Sequence, residues 1–259
     1  MDKILHQGKY YSKSEIKDIV YMYYKSVFSN KRDRHVQMQT LFPGNLNKTS
    51  KILDYGCGMG GVSQLFYDKY NCQVDGVEIS ENELMKARMA FGDNNNLRFI
   101  LLDDFVFPEK TYDLIFSSQV IEHVHNVGNY LSKINSMLKD DGYLLIGLPN
   151  IVNINYLINL VLFSQKRAIK HSQNMINNYN KANHHINGWD PVHFVTLNAS
   201  CGFELVKYIP TEGTPISFFL HKIPFIGKYI YNLPLTTRLS YTMFFLFKKV
   251  KDVQIGQND

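Results

Sequence analysis

Short apolar runs alternate with segments of helical periodicity through the middle of the chain. Lys51–Tyr55 is an apolar run that ends in a glycine-rich turn, after which apolar residues recur at helical spacing. Gln73–Glu78 is a second run, and Ser80 with Glu83 three residues later forms a capping box that opens a helix to about Phe91. The order predicts strand, helix, strand, helix.

The same alternation continues to residue 150. Leu97–Leu102 and Tyr112–Ser117 are apolar enough to be strands that are buried on both faces. A helix over Val127–Leu138 and a turn at Asp141-Gly142 precede a fifth strand, Tyr143–Leu148. Strands that alternate with helices predict a parallel, doubly wound α/β sheet.

The last part of the chain adds two strands and two insertions. The asparagine-rich residues 151–190 predict an inserted lid, and Phe203–Ile209 and Tyr241–Lys249 predict strands six and seven. We therefore predict one domain, 1–259, made of N-terminal cap helices (1–48), a cofactor-binding core (49–150), the lid (151–190) and the late strands with an apolar insertion (191–259).

Composition adds few constraints. With 259 residues, 45% hydrophobic and 20% charged, the chain is an ordinary globular protein. The net charge of +5 is dispersed, so no nucleic-acid face is expected. The three cysteines form no CxxC pair or disulfide framework, and no apolar leader or run of about 18 apolar residues is present. These features predict a cytoplasmic protein.

The glycine-rich turn carries the strongest chemical signal. Gly56, Gly58 and Gly61 satisfy G-x-G-x-x-G, and Glu78 lies 20 residues after Gly58, as a dinucleotide site requires. Asp54 precedes this turn, and a carboxylate is a poor neighbour for a pyrophosphate. It suits a ligand with an ammonium and a sulfonium, such as S-adenosylmethionine. Both ligand classes remain open at this point, and the second is favoured.

Two further acids follow in the order that a nucleoside ligand requires. Glu78, at the end of strand two, can accept both ribose hydroxyl protons. Asp103, at the end of strand three, is placed to meet an adenine amino group. The joint order of the acids favours a nucleoside site over solvated strand ends.

These residues resemble class I S-adenosylmethionine-dependent methyltransferases. The resemblance is strong over residues 50 to 150, where it rests on KILDYGCGMGGVS, VEIS, LLDD, YDLIFSSQVIEHV and LKDDGYLLIGLPN, and moderate over 190 to 250, where it rests on DPVHFVTLNASCGFELVKY. It implies a Rossmann-like sheet of seven strands, mostly parallel, with an antiparallel strand seven between strands five and six. It also implies S-adenosylmethionine as cofactor, bound by Asp54, Gly56, Cys57, Gly58, Gly60, Glu78, Ile79, Asp103, Asp104, Phe105, Ser118 and Gln119.

The Glu-His-Val sequence after strand four is similar to a small-molecule branch of this family. That branch includes ubiquinone-biosynthesis O-methyltransferases and sugar or polysaccharide-pathway methyltransferases. The resemblance implies methylation of a sugar, a polysaccharide precursor or a quinone-like hydroxyl. A nicotinamide-dependent oxidoreductase and a cofactor-binding protein without turnover remain as alternatives.

The acceptor side rests on fewer residues. Glu122 and His123 follow strand four, where acceptors bind at an open sheet, and we expect His123 to be the base. His123 packing against the next helix is the structural alternative. His193 ranks second as base because it matches a family position that faces the acceptor. Gln119 stands where some quinone-pathway relatives have a metal-binding glutamate, so we predict no metal.

Two segments have a structural and a functional interpretation. His184 and His185, with Asp190 and His193, could suggest a metal site or a second base, but their spacing fits no standard zinc pattern. We expect His184 and His185 on a loop surface, since polar loops expose most histidines. The apolar residues 217–239 suit either packing on the lid or contact with a membrane interface that recruits a lipid-linked acceptor. Packing is favoured because the prolines prevent one continuous amphipathic helix.

Overall fold

The structure, a computed structural model, describes residues 4–29, 34–92, 94–153, 169, 185–211 and 240–253. Within them, the strands are β1 (Ile4–His6), β2 (Lys9–Tyr11), β3 (Lys51–Tyr55), β4 (Gln73–Glu78), β5 (Leu97–Leu101), β6 (Tyr112–Ser118), β7 (Leu138–Pro149), β8 (Phe203–Thr211) and β9 (Thr242–Lys249). The helices described there are α1 (Lys13–Ser29), α2 (Arg34–Met38), α3 (Gly61–Tyr70), α4 (Glu81–Phe91), α5 (Val127–Met137) and α6 (Pro191–Ser200).

Seven strands form one sheet in the order β5-β4-β3-β6-β7-β9-β8. Neighbouring strands from β5 to β7 are parallel, and β9 runs antiparallel to both β7 and β8. The predicted seven-stranded sheet is confirmed, including the antiparallel last strand between strands five and six. The strand order reverses between β3 and β6, and ligands bind beside the carboxyl ends of strands at such a point.

Both faces of the sheet are covered by apolar cores. Leu53 and Ile115 pack in one cluster, whereas their neighbours Ile52 and Leu114 pack in a second cluster on the opposite face. Successive side chains of a strand point to opposite faces, so a strand that is buried on both sides needs apolar residues at every position. This burial explains why the central strands are continuous apolar runs.

The predicted turn at Asp141-Gly142 is wrong as a separator between helix and strand. Helix α5 ends at Met137 and β7 begins at once at Leu138, so both residues lie inside the strand. Asp141 has a φ of 64°, and the pairing with β6 shifts register between Tyr112 and Leu114. The turn residues therefore form a bulge that bends β7 without ending it.

The N-terminal region is only partly helical, so the prediction of cap helices over 1–48 needs correction. Residues Ile4–Tyr11 form a hairpin of β1 and β2, with Gln7 and Gly8 at positive φ in its two-residue turn. Strands of three residues are too short for a periodic signal. Ile4 of the hairpin and Ile16 of α1 pack against α4.

Two predicted insertions fall mostly outside the described residues. Of the lid, the structure describes 151–153, 169 and 185–190, and the segment 217–239 is not described. The lid's two ends meet: Asn150 and Trp189 form a parallel β-bridge, and Ile151 N–H donates to the Trp189 carbonyl at 3.3 Å. Among the described helices, none is both long and apolar enough to cross a membrane.

Candidate active site

The glycine turn between β3 and α3 is closed on two sides and open on one. A Cβ atom at Gly56 would overlap the side chain of Val120, and one at Gly60 would lie 2.6 Å from the Phe99 ring. Gly58 has a φ of 52°, and no atom of the other described residues, its chain neighbours aside, lies within 4 Å of the place where a Cβ would stand. The turn therefore needs glycine for packing at two positions, and at Gly58 its backbone faces open space.

Glu78 lies beside this open side at the end of β4. Its Oε2 accepts from the Gly58 amide at 2.8 Å, and its Oε1 accepts from the amides of Ile79 at 2.9 Å and Ser80 at 3.0 Å. A carboxylate has about four lone-pair sites, and three are occupied. Ile79 is 75% exposed next to it. The carboxylate is thus fixed in position with room for about one further hydrogen bond.

Asp54 is buried beneath the turn, with 1% of its surface exposed, and its Oδ2 accepts from the Ser63 hydroxyl at 2.6 Å. Burial raises the pKa of Asp54 to about 7; the Ser63 bond opposes the shift and the Glu78 charge adds to it. The carboxyl group does not line the open side of the turn. Its predicted role toward a ligand ammonium would act through the field, without direct contact.

Cys57 and Phe105 are buried members of the predicted cofactor set. Burial, with the nearby Asp54 and Glu78 charges, raises the pKa of the Cys57 thiol well above its usual value, so the thiol is protonated. The Phe105 ring packs in the core, 5.1 Å from the Phe107 ring. Both residues therefore offer a ligand mainly their backbone.

Asp103 and Asp104 are exposed in a 3-10 turn, Leu102–Asp104, directly after β5. The turn lies at the same edge of the sheet as Glu78, since β4 and β5 are parallel neighbours. Their carboxylates are accessible where the sequence predicts contact with an adenine amino group.

Two side chains at the end of β6 have unused hydrogen-bonding atoms. Ser118 Oγ and Gln119 Nε2 are buried and have no hydrogen-bond partner among the described residues. Gln119 has a φ of 58°, and its amide donates to the Gly147 carbonyl at 2.8 Å. Buried polar atoms are rarely left unpaired. These two atoms at the reversal point of the sheet therefore fit a polar ligand.

Glu122 follows in a 3-10 turn, Ile121–His123, and is 1% exposed. Neither of its carboxylate oxygens has a hydrogen-bond partner within the described ranges. Burial raises the pKa of Glu122, and the fields of its own amide, His123 and Arg34 oppose the shift only in part. A buried carboxylate without a partner is costly, which marks it as a functional group.

His185 lies close to Glu122 and His123. The sequence did not predict this proximity. The His123 and His185 ring centroids are 5.1 Å apart, and one ligand atom from each of Glu122, His123 and His185 lies within 4.8 Å of the others. The expectation of a loop surface is met by the exposure of His185, yet its ring faces the cluster. His184 lies outside the described residues. A 62-residue separation between the histidines gives no local signal.

His193 lies at the start of α6, where Asp190 is the N-cap. The Asp190 side chain accepts from the amides of Val192 and His193, and it also contacts His193 Nδ1. The side chain of His193 is 80% exposed. The sequence predicts that it faces the acceptor pocket, whereas the ring is held toward solvent by the capping aspartate.

Comparison with known proteins identifies the fold family. A family model described as a methyltransferase domain matches residues 31–208. The chain belongs to this methyltransferase family. The family confirms the resemblance found in the sequence, with S-adenosylmethionine as its cofactor, and it decides between the two ligand classes that the glycine turn left open.

Individual methyltransferases match over shorter stretches. The chain is 35% identical over 105 residues to phosphoethanolamine N-methyltransferase of Plasmodium falciparum, covering 39% of this chain and 40% of that protein. It is 31% identical over 107 residues to malonyl-[acyl-carrier protein] O-methyltransferase 2 of Ilyobacter polytropus, covering 40% and 41%. The matches thus span about two fifths of these relatives.

A solved structure agrees over a larger part of the methyltransferase. Phosphoethanolamine N-methyltransferase 2 of Haemonchus contortus, in complex with S-adenosyl-L-methionine, superposes with a TM-score of 0.59 at 18% identity. The superposition covers 93% of this chain and 58% of that one. At this identity it supports the fold.

Proposed function

We propose that this methyltransferase transfers a methyl group from S-adenosylmethionine to a small-molecule acceptor, with a hydroxyl of a sugar, polysaccharide precursor or quinone-like ring as nucleophile. The observation that carries the proposal is Glu122, whose buried carboxylate has no partner among the described residues and lies beside His123. The pair follows β6, where the strand order reverses.

The cofactor role belongs to the residues around the glycine turn. When bound, S-adenosylmethionine supplies an electrophilic methyl group on its sulfonium. The open backbone at Gly58 and the fixed carboxylate of Glu78 support a nucleoside position beside β4. At the end of β6, Ser118 Oγ and Gln119 Nε2 have no hydrogen-bond partner among the residues that the structure describes. The proposed set also includes Asp54, Gly56, Cys57, Gly60, Ile79, Asp103, Asp104 and Phe105.

His123 has the role of proton acceptor in this proposal. Transfer to a hydroxyl needs an oriented nucleophile and removal of its proton, and a positioned base contributes about 10²–10⁴-fold. The Glu122 carboxylate lies within 4.8 Å of a His123 ring nitrogen, which is close enough to orient the imidazole. The exposed ring of His193 gives it the weaker case as a second base.

The acceptor atom in this proposal is oxygen. Similarity extends to an N-methyltransferase and an O-methyltransferase. Oxygen is favoured because Glu122 and His123 supply a general base. A hydroxyl must lose its proton to become a strong nucleophile, whereas a neutral amine attacks directly. Nitrogen methylation is the second candidate.

The test is methyl transfer from labelled S-adenosylmethionine to fractionated lysate. Label in nucleotide-sugar, polysaccharide or quinone-containing fractions, lost with the His123→Ala protein, is the expected result. Label in a lipid fraction would favour a lipid-linked acceptor and a location at a membrane surface. Label confined to protein, or no label above a Gly58→Val control, would contradict the small-molecule proposal.

A further inference from the structure

We propose that Glu122, His123 and His185 form a binding site for a first-row transition-metal ion of the zinc class. The site combines one carboxylate and two imidazoles, the donor types that bind Zn²⁺ in proteins. The site shares Glu122 and His123 with the proposed function, but ion binding requires neither the cofactor nor methyl transfer, so the two proposals can be tested separately.

The donor atoms are already close. One ligand atom from each residue lies within 4.8 Å of the other two. Zinc bonds of about 2.0–2.2 Å in a tetrahedral arrangement place neighbouring donors about 3.4 Å apart. His123 is half-buried and His185 exposed, so rotation of the two rings can close the remaining gap. The site needs no movement of the strand that precedes it.

The backbone holds the third ligand against the other two. The carbonyl of Glu122 accepts from the amides of Ile186 at 2.9 Å and Asn187 at 3.1 Å, and the Asn187 side chain donates to the Val124 carbonyl. The segment that carries His185 is therefore bonded to the turn that carries Glu122 and His123. Such bonds reduce the ordering cost of binding.

The electrostatics of Glu122 favour a cation. Its carboxylate is 1% exposed and has no hydrogen-bond partner in the part of the chain that the structure describes. A buried charge is tolerated when it is paired or coordinates a metal. Arg34 is near enough to act on Glu122 through its charge, but it does not bond to either oxygen. A divalent ion between the three donors would neutralise the carboxylate directly.

The donor set selects the ion. Mg²⁺ and Ca²⁺ prefer oxygen ligands throughout, whereas imidazole nitrogen favours zinc and its neighbours. The prediction of no metal depends on Gln119, which supplies no carboxylate ligand. The imidazole of His185 supplies the third ligand in its place. Three protein ligands leave one position of a tetrahedral zinc ion open. If the proposed function holds, an acceptor oxygen would occupy that position, and the bound ion would lower the pKa of the hydroxyl in place of the coordinated His123.

The experiment is calorimetric titration of the full chain, freed of metal and without cofactor, with Zn²⁺, Mn²⁺ and Mg²⁺. We expect one Zn²⁺ per chain and much weaker Mg²⁺ binding. Loss of groups that only support metal ligands costs about 10–100-fold in affinity, so Glu122→Gln and His185→Ala should each lose at least that much. His6→Ala, on the N-terminal hairpin, is the matched control and should bind as wild type.

Thermal unfolding of the same proteins separates ligand loss from misfolding. Zn²⁺ should raise the melting temperature of the wild type but not of Glu122→Gln. Metal-free Glu122→Gln should be at least as stable as wild type, because the substitution removes a buried charge. The absence of stoichiometric Zn²⁺ binding, or equal affinity in wild type, Glu122→Gln and His185→Ala, would overturn the site. Binding of S-adenosylhomocysteine, measured in parallel, tests the proposed function independently.

Discussion

The amide of Gly58 donates to Oε2 of Glu78 at 2.8 Å, which joins the glycine turn to the end of the neighbouring strand. The two residues are 20 positions apart, and the parallel pairing of β3 with β4 brings them together. The carboxylate that we propose as the acceptor of a ribose hydroxyl therefore also holds the glycine turn in position. A change at Glu78 is thus expected to affect both.

Two substitutions at Glu78 separate these roles. Glu78→Gln keeps a carbonyl oxygen for the Gly58 amide, so the turn should persist while charge and acceptor capacity fall. Glu78→Ala removes both. We expect Glu78→Gln to weaken S-adenosylhomocysteine binding by about 1.5–3 kcal/mol, the value of a hydrogen bond to a charged group, and Glu78→Ala to weaken it more. Calorimetry measures both; equal affinities of the two variants would contradict a role in holding the turn.

Gly58→Ala tests whether the open side of the turn is a ligand surface. Gly58 (φ 52°) and Gly8 (φ 77°) both have positive φ. At each, the part of the chain that the structure describes places no non-neighbouring atom within 4 Å of the position of a Cβ. Each alanine variant should lose about 1–2 kcal/mol of stability from the left-handed backbone. Only Gly58→Ala should lose affinity for S-adenosylhomocysteine, measured by calorimetry. A comparable loss in Gly8→Ala would show that strain, and not space, is responsible.

Asp54 should make the stability of the cofactor-free protein depend on pH. Its pKa in the fold is about 7, above its ordinary value of 3.8. Between these values the folded chain holds a proton that the unfolded chain releases, so this contribution to stability is complete at low pH and is lost as pH rises toward 7. Relative to Asp54→Asn, the wild type should lose on the order of 1–4 kcal/mol between about pH 5 and pH 8.

Urea unfolding of the wild type and Asp54→Asn at several pH values checks this expectation. Ser63→Ala supplies a second test, because the Ser63 bond lowers the pKa of Asp54. Without that bond the folded-state pKa of Asp54 should rise, so the loss of stability should continue to a higher pH. Wild-type and Asp54→Asn stabilities that change in parallel with pH would show that Asp54 is ionised in the fold.

His123→Ala should reduce methyl transfer without changing cofactor affinity. A positioned base contributes about 10²–10⁴-fold to the rate, so turnover should fall by that factor. His6→Ala, on the hairpin, should keep wild-type turnover. Rates come from labelled methyl transfer once an acceptor fraction is known, and cofactor affinity from calorimetry. A wild-type rate in His123→Ala would assign the ring to packing.

Much of the fold was predictable because its signals are local. Gln73–Glu78 is a strand over the predicted residues, and Ser80 caps α4 by accepting from the Glu83 amide at 3.4 Å. Apolar runs and capping boxes report on neighbours in sequence. The β1–β2 hairpin was not predicted because its strands have three residues each, which is too short for a periodic signal.

The site was predictable to the extent that it lies at strand ends. The ends of β3, β4 and β6 supply Asp54, Glu78 and Ser118, all predicted. Two features depend on tertiary contacts: the burial of Asp54 beside Ser63 of the following helix, and the approach of His185 to His123. Periodicity does not encode such packing. The contact of His193 with Asp190 is local, because the two residues are three positions apart at a helix N-cap.

The bridge between Asn150 and Trp189 has an evolutionary consequence. Asn150 follows the end of β7 and is held beside Trp189, so the residues between them form a segment with fixed ends. The entropy of closing a loop grows only logarithmically with its length. Descendants of this gene could lengthen, shorten or exchange this segment at small thermodynamic cost, while the glycine turn and Glu78 stay in place. Such changes would leave the residues that we propose to bind the methyl donor where they are.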